Sequence, residues 1–288
     1  MQIATVYCGT GSALHRSMTN TAADITVLVP VRNGARFVKE AVGSVLEQSV
    51  ARLQVLVSDN QSTDGTAVIL EGLAAGDPRV SIVRQPAPLS MARHFNNCLA
   101  RVATDYYMLL CHDDYLASRD ALLTAREVLD SQPDVNAVYC DILYVDADRR
   151  LIATRRFNRS GRFDVLMTGR SSVLAGRNLF GIPLLIRTRA VRGLTYDEAL
   201  PYAGDVDIAI AGAAGGAVFH VPQALIANRY HAQNATWGVV TGVSSQMRVI
   251  AAKHGISLSA FDRLRAAFNT WLTAVTKILF RAYIQIRR

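Results

Sequence analysis

Residues 57–66 have the sequence VSDNQSTDGT, and this stretch decides the fold class of the chain. It follows an apolar run, Leu53 to Val57, that predicts a buried strand, and it leads into Ala67 to Glu71, which predicts the start of a helix. Asp59 therefore stands at the carboxyl end of a predicted parallel strand, where open α/β sheets bind ligands. A second predicted strand, Tyr106 to Leu110, ends in the same way at Cys111-His112-Asp113-Asp114. Two acidic strand ends of this kind can hold a nucleotide and its metal ion.

Strands and helices alternate on both sides of these two turns. The apolar run that begins at Ile25 predicts a first strand closed by Pro30, and Asp64 is placed to cap the helix that follows the second strand. The alternation predicts an α/β fold with a doubly wound, mostly parallel sheet flanked by helices. The predicted strands cover residues 25–29, 53–57, 80–83 and 106–110, and the predicted helices cover 35–48, 64–75, 90–102 and 118–131.

The second half of the chain is less regular. Apolar runs predict strands at 137–145 and 151–157 around a turn, and at 182–186, 217–221 and 224–230. Helical spacing predicts helices at 206–214, 240–254 and 260–286. No linker divides the chain, so we expect one catalytic domain over residues 25–237, preceded by a flexible polar extension at 1–24 and followed by a C-terminal helical tail at 238–288.

The chain has 288 residues and a formal net charge of +8, and this charge is unevenly placed. Residues 149–192 contain eleven Arg and one acidic residue, Asp164. A basic surface suits an anionic partner, such as phospholipid head groups or a diphosphate substrate, although it can also be a solvated face. Neither a nucleic-acid motif nor interleaved aromatic side chains accompany the Arg residues, so no nucleic-acid partner is expected.

The predicted location is the cytoplasm. Four cysteines without Cys-x-x-Cys spacing are typical of reduced thiols in a cytosolic protein. Residues 1–24 lack the charged start and apolar core of a signal peptide. No apolar run reaches about 18 residues, so a membrane-spanning helix is not predicted.

Three strings carry a family resemblance: Pro30-Val31-Arg32-Asn33, the stretch 57–66, and Cys111 to Asp114. They resemble the strings P-x-Y-N, D-D-G-S-x-D-x-T and D-x-D-D of the family 2 glycosyltransferases, over roughly residues 25–237. The resemblance implies the GT-A fold and inverting transfer of a sugar from a nucleoside-diphosphate donor to a hydroxyl acceptor. It also implies a divalent cation, Mn²⁺ or Mg²⁺. Cell-surface polysaccharide, lipopolysaccharide or glycolipid assembly is the expected setting.

By this resemblance, Pro30, Arg32 and Asp59 line the donor nucleotide pocket. Arg93 is similar to the Arg of the family's A-R-N string, where it would contact a phosphate or the nucleobase region; the alternative is an ion pair on the helix surface. Two departures concern the choice of base. Arg32 stands where a Tyr is common, and Asn60 stands where the second Asp is common.

The expected metal residues are Asp113, Asp114 and His231. Mg²⁺ and Mn²⁺ prefer oxygen ligands, which the two carboxylates supply. Cys111 occupies the position of the family's first Asp and is a poor ligand for a hard cation. His231 ends the string Asn228-Arg229-Tyr230-His231, which resembles the family's Y-R-x-H; it would bind the metal or the diphosphate, or it is an ordinary packed residue.

Asp205 is the candidate general base, because the string Ala203-Gly204-Asp205-Val206-Asp207 is similar to the family's E-D-x-D. A carboxylate near a helix N-terminus is normally ionised, as a base must be. Gly204 replaces the common Glu, and Asp207 is the alternative base. Both Asp residues can also be simple members of a first helical turn.

Two other functions compete with sugar transfer. A nucleotidyltransferase uses a similar sheet, but it usually carries a Gly-rich basic loop after the first strand, and residues 30–34 contain a single Gly. A basic, non-catalytic binding protein on the same fold is the other alternative, and Asn60, Cys111 and Gly204 favour it.

The last predicted helix, 260–286, combines an apolar stripe with basic residues. This pattern is typical of a helix that lies in the head-group layer of a membrane. We expect peripheral contact with an anionic membrane at the inner face of the cell membrane and a glycan or lipid-linked acceptor. The alternative is that the stripe packs on the catalytic domain. The stripe consists of Phe261, Leu264, Phe268, Trp271, Leu272, Val275, Ile278 and Leu279.

Overall fold

The computed structural model describes residues 23–213, 215–231 and 243–286. Within them the chain forms a ten-stranded sheet with helices on both faces, in the strand order β3-β2-β1-β4-β9-β6-β10-β5, with β7 on β6 and β8 on β10. The strands are β1 (Ile25–Val31), β2 (Leu53–Asp59), β3 (Val80–Arg84), β4 (Tyr106–Leu109), β5 (Tyr115–Leu116), β6 (Val135–Val145), β7 (Leu151–Arg155), β8 (Gly161–Phe163), β9 (Pro183–Arg187) and β10 (Ala217–Arg229). The helices are α1 (Val38–Leu46), α2 (Thr66–Gly76), α3 (Met91–Leu99), α4 (Ala121–Ser131), α5 (Val165–Ala175), α6 (Thr188–Val191), α7 (Gly204–Gly212), α8 (Val243–Lys253) and α9 (Ala260–Ile286).

The parallel half of the sheet is built as the sequence predicts. Strands β3, β2, β1 and β4 run parallel, and Ile25 of β1 lies opposite Leu53 of β2 and Tyr106 of β4. All seven residues of β1 are buried, as expected for a central strand covered on both faces. One detail differs: β1 continues through Pro30 to Val31, because pairing with β4 has already ended at Leu28 and the missing N–H of Pro30 breaks no bond on that side.

The second half makes the sheet mixed. Strand β9 lies antiparallel between β4 and β6, and β6 then pairs in parallel with β10. The predicted hairpin is β6 and β7. The two strands predicted at 217–221 and 224–230 form one strand, β10, in which register shifts around Pro222 interrupt the ladder. Helices α5 and α6 and strands β5 and β8 were not predicted.

Helices cover both faces of the sheet. Buried residues of α1, α2 and α4, such as Val42, Leu70 and Leu122, form one core with alternate residues of β1. Residues of α3, α5, α7 and α8 pack on the other face around Leu28 and Tyr107. The carboxyl ends of β1, β2 and β4 lie side by side at one edge of the sheet, and the acidic turns follow β2 and β4 there.

Most Arg side chains of segment 149–192 are exposed, but Arg155 and Arg159 are half-buried and Arg187 is buried. Arg187 is buried, and its Nε donates to the carbonyl of Val135 at 2.7 Å. Arg159 lies 3.9 Å from the ring centre of Phe163, and burial lowers its pKa to about 10. Arg162 forms an exposed ion pair with Asp134 at 2.6 Å. Since several guanidinium groups are used internally, the net charge of the sequence overstates the free positive surface.

No helix in the described ranges combines the length and the apolar character that crossing a bilayer requires. Residues 1–22 and 232–242, which include the predicted boundary at Trp237 and most of the predicted N-terminal extension, lie outside the described residues.

Candidate active site

The acidic turn after β4 gathers three side chains that could hold a divalent cation. The Sγ of Cys111 and carboxylate oxygens of Asp113 and Asp114 all lie within 4.8 Å of one another. The turn is closed by the backbone N–H of Asp114, which donates to the carbonyl of Cys111 at 3.0 Å. Two carboxylates at this spacing fit the oxygen preference of Mn²⁺ and Mg²⁺, so the residues present are suitable for the expected metal.

Asp113 is coupled directly to His231. The Nε2 of His231 lies 3.0 Å from Oδ2 of Asp113, and the imidazole is buried against the ring of Phe37, with 4.8 Å between ring centres. Burial opposes ionisation of Asp113, but the hydrogen bond from His231 and the nearby His112 outweigh it and lower the pKa of Asp113 below its usual value. Asp113 is therefore ionised at neutral pH, as a metal ligand must be.

Asp114 is buried and held by β10. The side-chain amide of Asn228 donates to both of its carboxylate oxygens, at 3.1 and 3.0 Å, and the backbone N–H of Arg229 donates to Oδ1 at 2.9 Å. Burial and the charge of Asp113 together raise the pKa of Asp114 well above its usual value, against these hydrogen bonds. A nearby cation would favour the ionised form of this carboxyl group.

Arg229 fastens the turn to the rest of the domain, and sequence reasoning assigned it no role. Its buried guanidinium donates to the carbonyl of Asp113 at 2.8 Å, to the carbonyl of Ala147 at 3.0 Å, and to the carboxylate of Glu40 in α1. The same group lies 4.6 Å from the ring centre of Phe37. The available signal was its place in the string 228–231, two residues before His231.

Asp59, the predicted donor residue, lies buried at the end of β2. Its Oδ1 accepts a hydrogen bond from the backbone N–H of Ser62 at 3.0 Å, and the Nε of Arg84 lies 3.6 Å from its Oδ2. Pro30 is buried beside it at the end of β1, and Arg32 is exposed at the start of the following loop. Three of the predicted donor residues thus share one edge of the sheet.

The hydrogen bonds of Asn60 give a structural reason for its departure from the family pattern. Its amide oxygen accepts from the backbone N–H of Leu89 at 2.8 Å, and its amide nitrogen donates to the carbonyl of Leu89 at 2.9 Å. A carboxylate has no N–H to donate, so an Asp at this position would lose the second bond. The Asn therefore secures the loop before α3.

The β1–α1 loop packs tightly against the metal turn. A Cβ at Gly34 would lie 2.5 Å from Cδ2 of His112, so only a glycine fits there without displacing the imidazole. Asn33, at φ 52°, accepts a hydrogen bond from the backbone N–H of Thr63 at 2.8 Å. Asp64 accepts from the N–H of Thr66 at 3.0 Å, but the N-cap of α2 is Gly65, so the prediction that Asp64 caps this helix is wrong by one residue.

Arg93 forms an ion pair with Glu198. The Nε of Arg93 lies 2.6 Å from Oε1 of Glu198, and both side chains are largely exposed. An exposed pair of this kind contributes little stability, so a phosphate can compete for the guanidinium. The structure thus shows the surface ion pair and leaves Arg93 near the loop that precedes α7.

Asp205 lies in the first turn of α7, close enough to the acidic turn for its charge to act on the Cys111 thiol. Its side chain is exposed, and its negative charge adds to burial and to the charges of Asp114 and Asp113 in raising the pKa of the Cys111 thiol. Asp207 has a different environment. Its buried carboxylate lies 2.6 Å from Nζ of Lys253 and 2.7 Å from Nε2 of His254. The geometry therefore favours Asp205 over Asp207 as the base.

Asn178 orients Asp205 and was missed from the sequence. Its Nδ2 donates to Oδ2 of Asp205 at 2.6 Å, while its Oδ1 accepts from the backbone N–H of Phe180 at 2.7 Å. The carbonyl of Asn178 in turn accepts from Nη2 of Arg155 at 2.6 Å. Gly181, at φ 100°, supplies the turn. The spacing Asn-x-x-Gly is a turn signal, but nothing in the sequence connects it to Asp205.

Solved structures show which fold this sheet and its helices form. The crystal structure of S. aureus TarS 1-349 superposes with a TM-score of 0.63 at 17% identity, covering 87% of this chain and 71% of that one. The mannosyltransferase PcManGT from Pyrobaculum calidifontis, in complex with GDP-Man and Mn²⁺, gives a TM-score of 0.60 at 19% identity, covering 90% and 75%. The fold is the GT-A fold of glycosyltransferases.

The sequence comparison is more specific. Residues 26–182 match the model of Glycosyl transferase family 2, and the chain belongs to that family. The hyaluronan synthase of Pasteurella multocida is 30% identical over 139 residues, which are 48% of this chain and 14% of that protein. An uncharacterized glycosyltransferase of Rickettsia prowazekii is 25% identical over 219 residues, which are 74% of this chain and 65% of the relative. The chain thus spans a small part of the synthase.

Proposed function

We propose that the chain is an inverting glycosyltransferase that moves a sugar from a nucleoside-diphosphate donor to an acceptor hydroxyl. The observation that supports this proposal best is the position of Asp205. Its carboxylate is exposed on the first turn of α7, near the acidic turn after β4, and it accepts a hydrogen bond from Asn178. Inversion in one displacement needs a base on the acceptor side of the anomeric carbon and a leaving group on the other side. In this proposal Asp205 takes the position of the base and the acidic turn takes the side of the leaving group.

Asp205 accepts the proton of the acceptor hydroxyl as that oxygen forms a bond to the anomeric carbon. The bond between the anomeric carbon and the diphosphate oxygen breaks, and its electron pair leaves with the nucleoside diphosphate. Pro30, Arg32 and Asp59 hold the nucleoside. Arg93 binds a phosphate once its ion pair with Glu198 has opened. Fixing both reactants in this geometry supplies much of the rate enhancement.

Asp113 and Asp114 would hold Mn²⁺ or Mg²⁺, with His231 oriented toward Asp113. A cation bound there offsets the negative charge that develops on the departing diphosphate. Arg229 and Asn228 keep the two carboxylates in place. Support for this assignment comes from the donor set of the turn and from the Mn²⁺ named in the mannosyltransferase complex.

The acceptor is proposed to be a glycan or lipid-linked hydroxyl in cell-surface polysaccharide, lipopolysaccharide or glycolipid assembly, at the cytoplasmic face of the membrane. Relatives named hyaluronan synthase and chondroitin synthase support a role in polysaccharide biosynthesis. Family membership argues against the nucleotidyltransferase alternative. The bonds of Asn60 also give a structural reason for one departure that favoured a non-catalytic protein.

The test is a screen of sugar nucleotides by thermal stabilisation, with and without Mn²⁺, followed by slow donor hydrolysis measured on the stabilising donors. The expected result is Mn²⁺-dependent stabilisation by one donor class and release of its nucleoside diphosphate. NMR of the product would then show the anomeric configuration opposite to that of the donor. Retention of configuration would overturn the single-displacement mechanism, and failure of every donor to bind would overturn the transferase assignment.

A further inference from the structure

Helix α9 packs on the catalytic domain through its polar side. Asp262 forms an ion pair with Arg170 of α5 at 2.8 Å. The side-chain amide of Asn269 donates to the carbonyl of Leu174 at 2.9 Å. Thr270 lies so close to Gly176 that a Cβ there would be 2.3 Å from the threonine hydroxyl. These contacts fix the rotation of α9 about its axis.

The rotation leaves the apolar stripe facing outward. Phe261 is 71% exposed, Leu264 70% and Trp271 61%, and Phe268 and Ile278 are also more than half exposed. The three- and four-residue steps from 261 to 271 place these side chains on one side of the helix. An aromatic-rich apolar surface of this kind marks an interaction site, since soluble proteins seldom expose such contiguous patches. The alternative in which the stripe packs on the catalytic domain is therefore wrong for these residues.

Basic residues accompany the apolar stripe of α9. Arg263 and Arg265 are exposed on α9, and residues 260–288 carry six Lys or Arg and one acid. That acid, Asp262, is engaged with Arg170 and with the hydroxyl of Ser259 at 2.9 Å. The outward side of α9 is thus apolar with the exposed Arg265 beside Leu264, whereas Arg263 lies on the same face as Thr270 and lines a cleft with Val173 and Met247.

We propose that α9 lies in the head-group layer of an anionic phospholipid surface, with Phe261, Leu264, Phe268 and Trp271 inserted among the acyl chains. Aromatic and leucine side chains beside Arg residues are typical of helices that lie in this layer. A second copy of the chain is disfavoured as the occupant because two such helices would bring like charges together, whereas anionic lipid is complementary to them. This inference is independent of the transfer reaction.

The experiment uses the full chain with sedimenting vesicles of phosphatidylcholine, with and without added phosphatidylglycerol, at low and high salt. Binding should require phosphatidylglycerol, weaken with salt, and fall at least about tenfold in the Phe268→Ser, Trp271→Ser double variant. A matched control, Val68→Ser, removes an equally exposed apolar side chain from α2 and should bind like the wild type. In a Trp237→Phe background, emission from Trp271 should shift to the blue when vesicles are added.

Thermal unfolding should show that the double variant and the control remain folded, since Phe268, Trp271 and Val68 are all exposed. Charge reversal at Arg265 should weaken binding to phosphatidylglycerol vesicles without altering the unfolding temperature. The proposal is overturned if the wild type ignores anionic vesicles at low salt or if the double variant binds them equally well. A concentration-dependent dimer that the double variant abolishes, in a chain that does not bind vesicles, would make a second copy the occupant instead.

Discussion

Replacing Arg229 by Met should destabilise the protein and loosen the acidic turn together. The guanidinium is 2% exposed and bonds two backbone carbonyls and the carboxylate of Glu40. Removing one partner of a buried charge pair costs about 3–5 kcal/mol, because the remaining acceptors lose their donors without regaining water. Arg149 stays 3.1 Å from Glu40, which favours the lower part of this range.

The melting temperature translates this cost into a measurement. A domain of this size loses about 2–4 °C per kcal/mol, so Arg229→Met should melt roughly 6–20 °C below the wild type. Arg36→Met is the matched control, because Arg36 forms an exposed ion pair with Asp148 and its loss should cost less than about 1 kcal/mol. Arg229→Lys keeps the charge but loses the planar guanidinium, so its melting temperature should lie between those of Arg229→Met and Arg36→Met.

The same variants connect stability to the site. Since Arg229 holds the backbone of Asp113 and its own N–H binds Asp114, thermal stabilisation by Mn²⁺ should be smaller in Arg229→Met than in Arg36→Met. Circular dichroism melts with and without Mn²⁺ measure both effects. A melting temperature for Arg229→Met within about 2 °C of the wild type would refute the assignment of Arg229 as the fastener of the turn.

Further predictions concern the base, the metal residue, the departure at Asn60 and pH. Asp205→Asn should lower kcat by about 10²–10⁴ at unchanged donor affinity, because it removes the proton acceptor at nearly constant shape; full activity would reject this base. Asp113→Ala should abolish Mn²⁺-dependent donor binding in calorimetry, and undiminished binding would contradict its role. Asn60→Asp should cost about 1–3 kcal/mol in denaturant unfolding, since a buried carbonyl loses its donor; an unchanged midpoint would argue against this. Burial lowers the pKa of His94 and His220 below 6.5, so the unfolded chain binds more protons and stability should fall as pH drops below about 6.5, by at most about 1.4 kcal/mol per pH unit for each His. His94→Gln should reduce that slope, and a pH-independent free energy of unfolding would contradict it.

The proposed donor side of the site could be predicted from the sequence because its residues follow apolar strands. Asp59 and Asp113 each close such a run, and the parallel register of β2, β1 and β4 brings the two ends to one edge. Sequence reasoning therefore needed only strand order and direction to predict their proximity.

The supporting residues were not accessible in the same way. Asn178 reaches Asp205 across 27 residues from a loop, and Arg229 reaches Glu40 across 189 residues. Neither contact leaves a periodic signal, because each depends on how loops pack after the sheet has formed. The one fully buried Arg of segment 149–192, Arg187, was inaccessible for a related reason: composition cannot distinguish a buried Arg from the solvated ones that surround it in the sequence.

The end of β10 has a consequence for the order of folding. Asn228 and Arg229 at the end of β10, and His231 just after it, contact residues that precede them by 82 to 189 positions, and β10 itself pairs with β6. Contacts between such distant parts of a chain form late, because closing the intervening loop must precede any gain from the contact. During synthesis, the parallel half of the sheet emerges and can pair well before residue 228 is made. The acidic turn therefore stays unfastened until nearly the whole domain has been translated.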